Sequence, residues 1–346
     1  MMQAVSYPFD IPEKLNASIP AELKKGSRDQ VKMMVLDRTI GHTKHDDFFH
    51  IDNYLQEGDL VVLNNSRTIP PVLFGKQGNT TIEVRLSRTS DPSEWEALLI
   101  GDFIQVNQPI SFGHGLQANI IGPGAERPLV NLKFSEQGPE LIDYIFKYGE
   151  PIRYEYIDTP WPLEYYQTVY GSVPGSVEMP SAGRAFSWRV INKLKQRGVK
   201  IGYLQLHTGL SYYGKDRWPD PKAHPEEFTV PEKTAQLINE TREKGGRVIA
   251  VGTTVVRALE SSFASDGLIK AKSGFTNLYV DQHHHLQAVD GLLTGFHEPE
   301  ASHLDMLTAF IKEELLMKAY KEAIESCYLW HEFGDVNLIL PRKPIL

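Results

Sequence analysis

Cysteine is almost missing from this chain of 346 residues. Cys327 stands alone, so no disulfide can form within the chain and no cysteine cluster can hold zinc. That usage fits a reducing compartment. No uninterrupted apolar run approaches the roughly 18 residues that span a bilayer. The stretch Met1–Leu15 lacks the basic-then-apolar order of a secretory leader. A cytoplasmic protein with no membrane partner is expected. Net positive charge is missing too: the balance is −8, whereas proteins that bind nucleic acid by bulk electrostatics are basic. Any nucleic-acid contact must then use a local patch. No Gly-Lys-Ser/Thr phosphate loop occurs, and no histidine–carboxylate spacing matches a zinc motif. No metal is expected.

What is present is an ordinary globular composition, 41% hydrophobic and 23% charged, enough for a sizeable core and for two domains. Asp59–Asn65 (DLVVLNN) reads as a buried strand, broken by Pro70-Pro71. Short β-type runs follow at Thr81–Leu86, Glu94–Ile100, Gln117–Ile121 and Val130–Phe134, a spacing that predicts a small barrel or sandwich. After Tyr166 the pattern alternates. Ser187 caps a helix running to about Arg197, with Gly198 as its stop, and Val199–His207 is a strand. Pro231 opens a helix that Gly245-Gly246 ends. Arg247–Val251 is a strand and Thr254–Phe263 a helix. Leu278–Val280 and Leu286–Leu293 read as strands, and one long helix runs from about Ser302 to Glu325 with Leu304, Leu307, Ile311 and Leu315 on its stripe. The fold class expected is a layered α/β main domain, residues 1–70 with 152–346, interrupted by an inserted small β-barrel domain at 71–151.

Several features can carry chemistry. From Met179 to Lys215 there is no acid, while Arg184, Arg189, Lys193, Lys195, Arg197, Lys200 and Lys215 are present. Arg189, Lys193 and Arg197 fall on one helix face. They suit phosphates of RNA; the simpler reading is a solvated face near a helix C-terminus. Val251-Gly-Thr253-Thr254 places a helix start after a strand, a carboxylate or phosphate site or only a threonine cap. His207 ends a strand and His297 precedes a helix, where ligands of α/β sheets bind. Each is a candidate base or a histidine bonded to backbone. Tyr165, Tyr166 and Tyr170 suit adenine or a cation, or a domain junction. His283-His284-His285 reads as a polar turn, since neighbours on a strand point apart.

Read together, Tyr166-Gln-Thr-Val-Tyr170, Pro174-Gly-Ser-Val177, Pro180-Ser-Ala-Gly183 and Leu206-His207-Thr-Gly209 resemble the S-adenosylmethionine:tRNA ribosyltransferase-isomerase family of queuosine biosynthesis. So do Val35-Leu-Asp-Arg38, Gly58-Asp-Leu-Val-Val-Leu-Asn64 with Arg67, Arg247-Val-Ile-Ala-Val-Gly-Thr-Thr254 with Arg257, Phe296-His297 and Phe333-Gly-Asp335. These strings run in order along nearly the whole chain. The resemblance implies transfer and isomerisation of the ribosyl group of S-adenosylmethionine onto 7-aminomethyl-7-deazaguanine in tRNA, giving epoxyqueuosine and releasing adenine and methionine. The sulfonium acidifies the C5′ hydrogens, so a base, a carboxylate anchor and an adenine pocket are needed. His207, His297 and Asp335 are the catalytic candidates. Tyr166, Gln167, Tyr170, Gly209, Thr253, Thr254 and Arg257 are candidates for S-adenosylmethionine, the only co-substrate implied. Arg67, Arg184, Arg189, Lys193, Arg197, His224 and Glu226 are candidates for the tRNA.

The motifs also depart from the family pattern. Its Leu-His-Phe reads Arg184-Ala185-Phe186. Asn65-Ser66 replaces Asp-Thr. Phe-His-Leu-Pro becomes Phe-His-Glu298-Pro, and Tyr-Arg-Phe-x-Ser-Tyr-Gly-Asp becomes Tyr328-Leu329-Trp-His-Glu332-Phe333-Gly-Asp335. His-x-Met-His-Ser-Glu keeps only His224 and Glu226, with Pro221 at its first position. Two other readings therefore stand beside the family reaction: a paralogue that uses an adenosyl-sulfonium ligand with a different acceptor, and a non-catalytic RNA-binding paralogue.

Overall fold

The computed structural model describes residues 7–214, 217–220 and 222–341. Lys215 and Pro221 lie outside the described residues. The main body contributes strands β1 (Lys32–Asp37), β2 (Thr43–Asp47), β3 (Leu60–Asn64) and the short β4 (Ser66–Thr68). Six strands then close into a barrel: β5 (Val72–Gln77), β6 (Thr80–Asp91), β7 (Glu94–Ile100), β8 (Ile110–Phe112), β9 (Gln117–Pro123) and β10 (Val130–Phe134). The chain returns through β11 (Val173–Ser176), β12 (Lys200–Leu206), β13 (Glu226–Val230), β14 (Val248–Val251), β15 (Lys272–Thr276), β16 (Gly291–Gly295) and β17 (Val336–Leu340). Nine of these strands form one sheet in the order β15-β13-β12-β3-β14-β16-β17-β1-β2.

The strand read from DLVVLNN lies inside this sheet, parallel to β12 on one side and β14 on the other. All five of its residues are buried, which is why it reads as a continuous apolar run rather than an alternating one. Leu60 and Val62 pack into one apolar layer with helices α4 (Glu232–Glu243), α5 (Thr253–Glu260), α6 (Ser302–Thr308) and α7 (Glu313–Glu325). Val61 and Leu63 face the opposite layer, under α3 (Trp188–Gln196). Strand β3 enters the sheet beside a fully buried acid. Asp59 accepts hydrogen bonds from Gln56 N–H (2.9 Å), Arg247 N–H (3.1 Å) and the Arg247 guanidinium.

The barrel is packed against the body rather than tethered to it. Its core includes Ile69, Ile152, Val177, Leu210 and Tyr213 from the flanking segments. The Ser87 hydroxyl accepts from Leu210 N–H, and Arg88 donates to the Pro225 carbonyl.

Three local expectations need correction. Leu278–Val280 is not a strand; β15 ends at Thr276, the Leu278 carbonyl is taken by Arg257, and Tyr279 turns its hydroxyl to Asp305. The long C-terminal helix is two helices, α6 and α7, interrupted before Lys312, which sits in an extended conformation as N-cap. Of its stripe, Leu304, Leu307 and Ile311 are buried, and Leu315, the one member on α7, is partly buried against the same core. A helix α2 (Gly138–Tyr148) follows the barrel where only strands were expected, burying Leu141 and Ile145. The Ser187 cap holds, its hydroxyl accepting from Val190 N–H.

The Asp59–Arg247 pair gives a stability test. Asp59→Ala leaves a guanidinium largely buried without its carboxylate, and is expected to cost about 3–5 kcal/mol. Urea unfolding monitored by fluorescence reads this as a lower midpoint at unchanged slope.

Candidate functional site

Strands β3, β12, β14 and β16 run parallel, and β17 and β1 run opposite to β16. One edge of the sheet therefore gathers the segments after Asn64, Leu206, Val251 and Gly295, together with the start of β17. Ligands of open α/β sheets bind at such an edge. His207, Gly209, Glu226, Thr253, Thr254, His297 and Asp335 all fall there.

His207 is held most tightly. Its Nδ1 lies 2.7 Å from the Ser66 hydroxyl, which lies 2.6 Å from the Ser176 hydroxyl; Ser176 accepts from Thr208 N–H at 3.1 Å. Burial lowers the imidazole below the ordinary histidine value, with Glu227 pulling the other way. The ring is thus neutral at neutral pH. Gly175 makes room for it: a Cβ there would sit 2.5 Å from Nδ1. Behind the ring, Asn64 donates to the Leu206 carbonyl (2.8 Å) and to Thr254 Oγ1 (3.2 Å), and accepts from Leu206 N–H and Ser66 N–H. Asn64, Ser66, Gly175 and Ser176 were not among the candidates. The motif strings contained them, but only the fold puts β4 and β11 side by side.

Gly209 N–H donates to Glu226, and Glu226 pairs with Arg257. Arg257 also donates to the Leu278 and Thr276 carbonyls, so its guanidinium braces the β13–β15 edge. At the start of α5, Gly252 is the N-cap without any side-chain cap bond. The threonines therefore do not cap this helix. His297 Nε2 lies 2.8 Å from Thr294 Oγ1, and its ring stacks on His303 at 5.1 Å. Burial, then the neighbouring His303 and His331, holds it well below the usual histidine range. Asp335 spends both carboxylate oxygens on backbone, accepting from Lys32 N–H and Leu329 N–H. It joins β1 to β17.

Of the remaining candidates, Arg184 lines a small cavity at this edge with Gly295, Glu332 and Asp335, and the others are engaged as follows. Tyr170 is core, packed on Phe186 and Tyr203. Tyr166 is buried against Phe333, and Gln167 pins the Thr68 backbone through both amide atoms. His224 is buried between Tyr213 and Glu126, against the barrel. The acid-free run is not free of acids in space. Arg184 pairs with Glu22, Arg189 with Asp29, and Lys193 and Arg197 both with Asp52. The Asp52 contacts are close but not aligned as hydrogen bonds. Asp29 is lowered although burial acts to raise it, because bonds from Arg189, Ser187 and Ser27 outweigh that. Arg67 is exposed on β4, its guanidinium over the Phe146 ring. A cavity of about 300 Å³, lined by Pro70, Phe146, Glu150, Arg153, Trp161 and Leu163 among others, holds none of the candidates. Among the described residues no three His, Cys, Asp or Glu side chains are grouped to hold a metal ion, and no helix is long and apolar enough to cross a membrane.

The family model described as queuosine biosynthesis protein matches residues 4–339. This chain belongs to that family. It is 36% identical, over 98% of its length and all of the relative's, to proteins named S-adenosylmethionine:tRNA ribosyltransferase-isomerase from Caldanaerobacter subterraneus subsp. tengcongensis and from Halothermothrix orenii. A crystal structure of S-adenosylmethionine tRNA ribosyltransferase from Thermotoga maritima matches with a TM-score of 0.56 and 30% identity, covering 97% of this chain and 100% of that one. The mixed sheet with a closed barrel is thus an architecture within the family.

Gly175→Ala tests the seating of His207. The added methyl should push the ring outward, break the Ser66 contact and raise the imidazole titration toward the ordinary value. The histidine Cε1–H titration by NMR reads this; an unchanged His207 titration would contradict the close fit.

Proposed function

We propose that this chain transfers and isomerises the ribosyl group of S-adenosylmethionine onto the 7-aminomethyl-7-deazaguanine of tRNA, with His207 as the base. Membership of the family over nearly the full chain supports the reaction. The observation that carries the residue assignment is the position of the His207 ring, fixed at Nδ1 by Ser66 at the sheet edge where ligands of such folds bind.

A base needs a free lone pair. The tautomer that supplies one has Nδ1–H donating to Ser66 Oγ, with Ser66 donating to Ser176 in turn. Nε2 is then the proton acceptor for a C5′ hydrogen acidified by the sulfonium. Burial serves this role, since it disfavours the imidazolium before reaction. The uncapped start of α5, with Thr253 and Thr254, suits the methionine carboxylate. Arg257 and Gly209 act through Glu226, which holds the loop carrying His207. Tyr170, with its ring in the core, is left out of the adenine pocket. Arg67, exposed next to Ser66, suits a tRNA phosphate. We read the barrel as an insertion, residues 71–151, into a main domain of residues 1–70 and 152–346, and place the enzyme in the cytoplasm with its tRNA.

Adenine release from S-adenosylmethionine in the presence of tRNA bearing the deazaguanine precursor tests the reading. His207→Ala should lower the rate by roughly 10²–10⁴-fold at unchanged thermal stability; near-normal turnover would sink the base assignment. The pH dependence has a defined sign. A base works deprotonated, and burial holds this one below the ordinary histidine value. The rate should hold through neutral pH and fall on the acid side, with a midpoint below the ordinary histidine value, and the Ala variant should lose that limb.

A further inference from the structure

The chain passes between body and barrel twice, and the two crossings are pinned to each other. Outbound, Pro70-Pro71 leads from β4 into β5; on return, residues 149–151 follow α2. Val72 N–H donates to the Glu150 carbonyl at 3.0 Å, and Glu150 N–H to the Val72 carbonyl at 2.9 Å. Gly149 permits the approach: a Cβ there would sit 2.1 Å from the Pro70 carbonyl oxygen. Beside this crossing the cavity of about 300 Å³ opens. Pro70, Pro151, Pro160 and Pro162 line it together with Phe146 and Trp161. Proline has no N–H and a fixed φ, so these backbones offer no donor and little freedom to collapse. Trp161 is fixed as well: its indole N–H donates to the Ser18 carbonyl at 2.9 Å, and its ring meets Tyr165 edge-on at 5.8 Å. The charged lining is the Arg153–Glu150 pair, 2.7 Å apart.

An unmatched cation stands next to these apolar walls. Arg67 is exposed, and its guanidinium lies 5.6 Å from the centre of the Phe146 ring. Among the described residues no carboxylate pairs with it, unlike the cations of α3. Bases splayed out of single-stranded RNA stack on aromatic side chains, and their phosphates take arginine. The volume is at the lower end for small-ligand pockets, room for one base rather than a helix. The adenine of S-adenosylmethionine is the other base in the reaction, and two observations set it aside. It brings no phosphate to Arg67. On β4, Ser66 is buried against His207 while Arg67 is exposed, so the Arg67 side of the strand faces away from the imidazole.

We propose that this cavity receives one unstacked base of the tRNA, beside the base that reacts, with Arg67 on the phosphate. The inference rests on tRNA being the substrate and adds to that reading a surface that senses the nucleotides around the target. An enzyme that acts on a base takes it out of the stack; a second pocket along the strand would hold the backbone open.

Equilibrium binding without turnover tests this. The probes are tRNA bearing the deazaguanine precursor and versions of it with a single abasic residue at each flanking position. Wild type should lose roughly 5- to 150-fold in affinity at one of these positions and little at the others. Leu163→Trp fills the cavity and Phe146→Ala removes a wall. In both, affinity for the intact tRNA should fall to that same level, and the abasic residue should cost nothing more. Arg67→Gln should weaken all versions alike and lower the slope of log affinity against log salt by about one. Affinity for S-adenosylmethionine alone should not change in any variant. If no abasic residue weakens wild type, or if the variants weaken intact and abasic RNA by equal factors, the inference is overturned. A loss of S-adenosylmethionine affinity in Leu163→Trp would overturn it in favour of the adenine. Adenine release that fails in wild type, while the abasic penalty persists there and vanishes in Leu163→Trp, would sink the proposed reaction alone.

Discussion

The Asn64 amide holds the reactive edge together. It is the last residue of β3, almost fully buried, and both of its functional atoms are in use. It reads the Leu206 peptide as a neighbouring strand would, at the point where β12 leaves the sheet. The same amide reaches the turn before β4 and the first turn of α5. Three loops from distant parts of the sequence are thereby fixed to one rigid strand. A site built from loops gains its precision from such an anchor. Replacing the amide would leave several buried backbone groups unpaired at once, a cost larger than the loss of any one bond.

Much of the scaffold was legible because its signals are local. The buried run of β3, the Ser187 cap and the glycine stops around α3 and α4 each depend on residues within a few positions. The break between α6 and α7 escaped because apolar periodicity continues through it, and burial pattern alone does not register where backbone bonding lapses. Helix α2 escaped because it lies inside a segment whose neighbours are all strands. Histidine placement was legible for a different reason: a polar residue at the end of an apolar strand lands on the sheet edge whatever the strand order.

The electrostatics were not legible. The cations of α3 looked unopposed because their acids, Asp29 and Asp52, lie about 140 to 160 residues away in sequence. The converse holds for Glu178 and Glu332: only the fold sets each against a tyrosine hydroxyl, Tyr154 and Tyr156. Charge complementarity is a property of the assembled chain, and linear charge counts miss both its presence and its failure. The tyrosines show the same limit for shape. Tyr166 and Tyr170 sit in a distinctive motif, yet their rings face the protein interior.

The pairing of α3 has a consequence for how the molecule would meet a polyanion. Guanidinium and ammonium groups already matched by carboxylates add little to the long-range field, and they displace few condensed ions from an approaching nucleic acid. Most of the salt sensitivity of such an encounter would then fall to unmatched cations such as Arg67. A chain of net negative charge could in this way handle RNA through a small, well-placed contact, discriminating by fit at the sheet edge rather than by attraction across its surface.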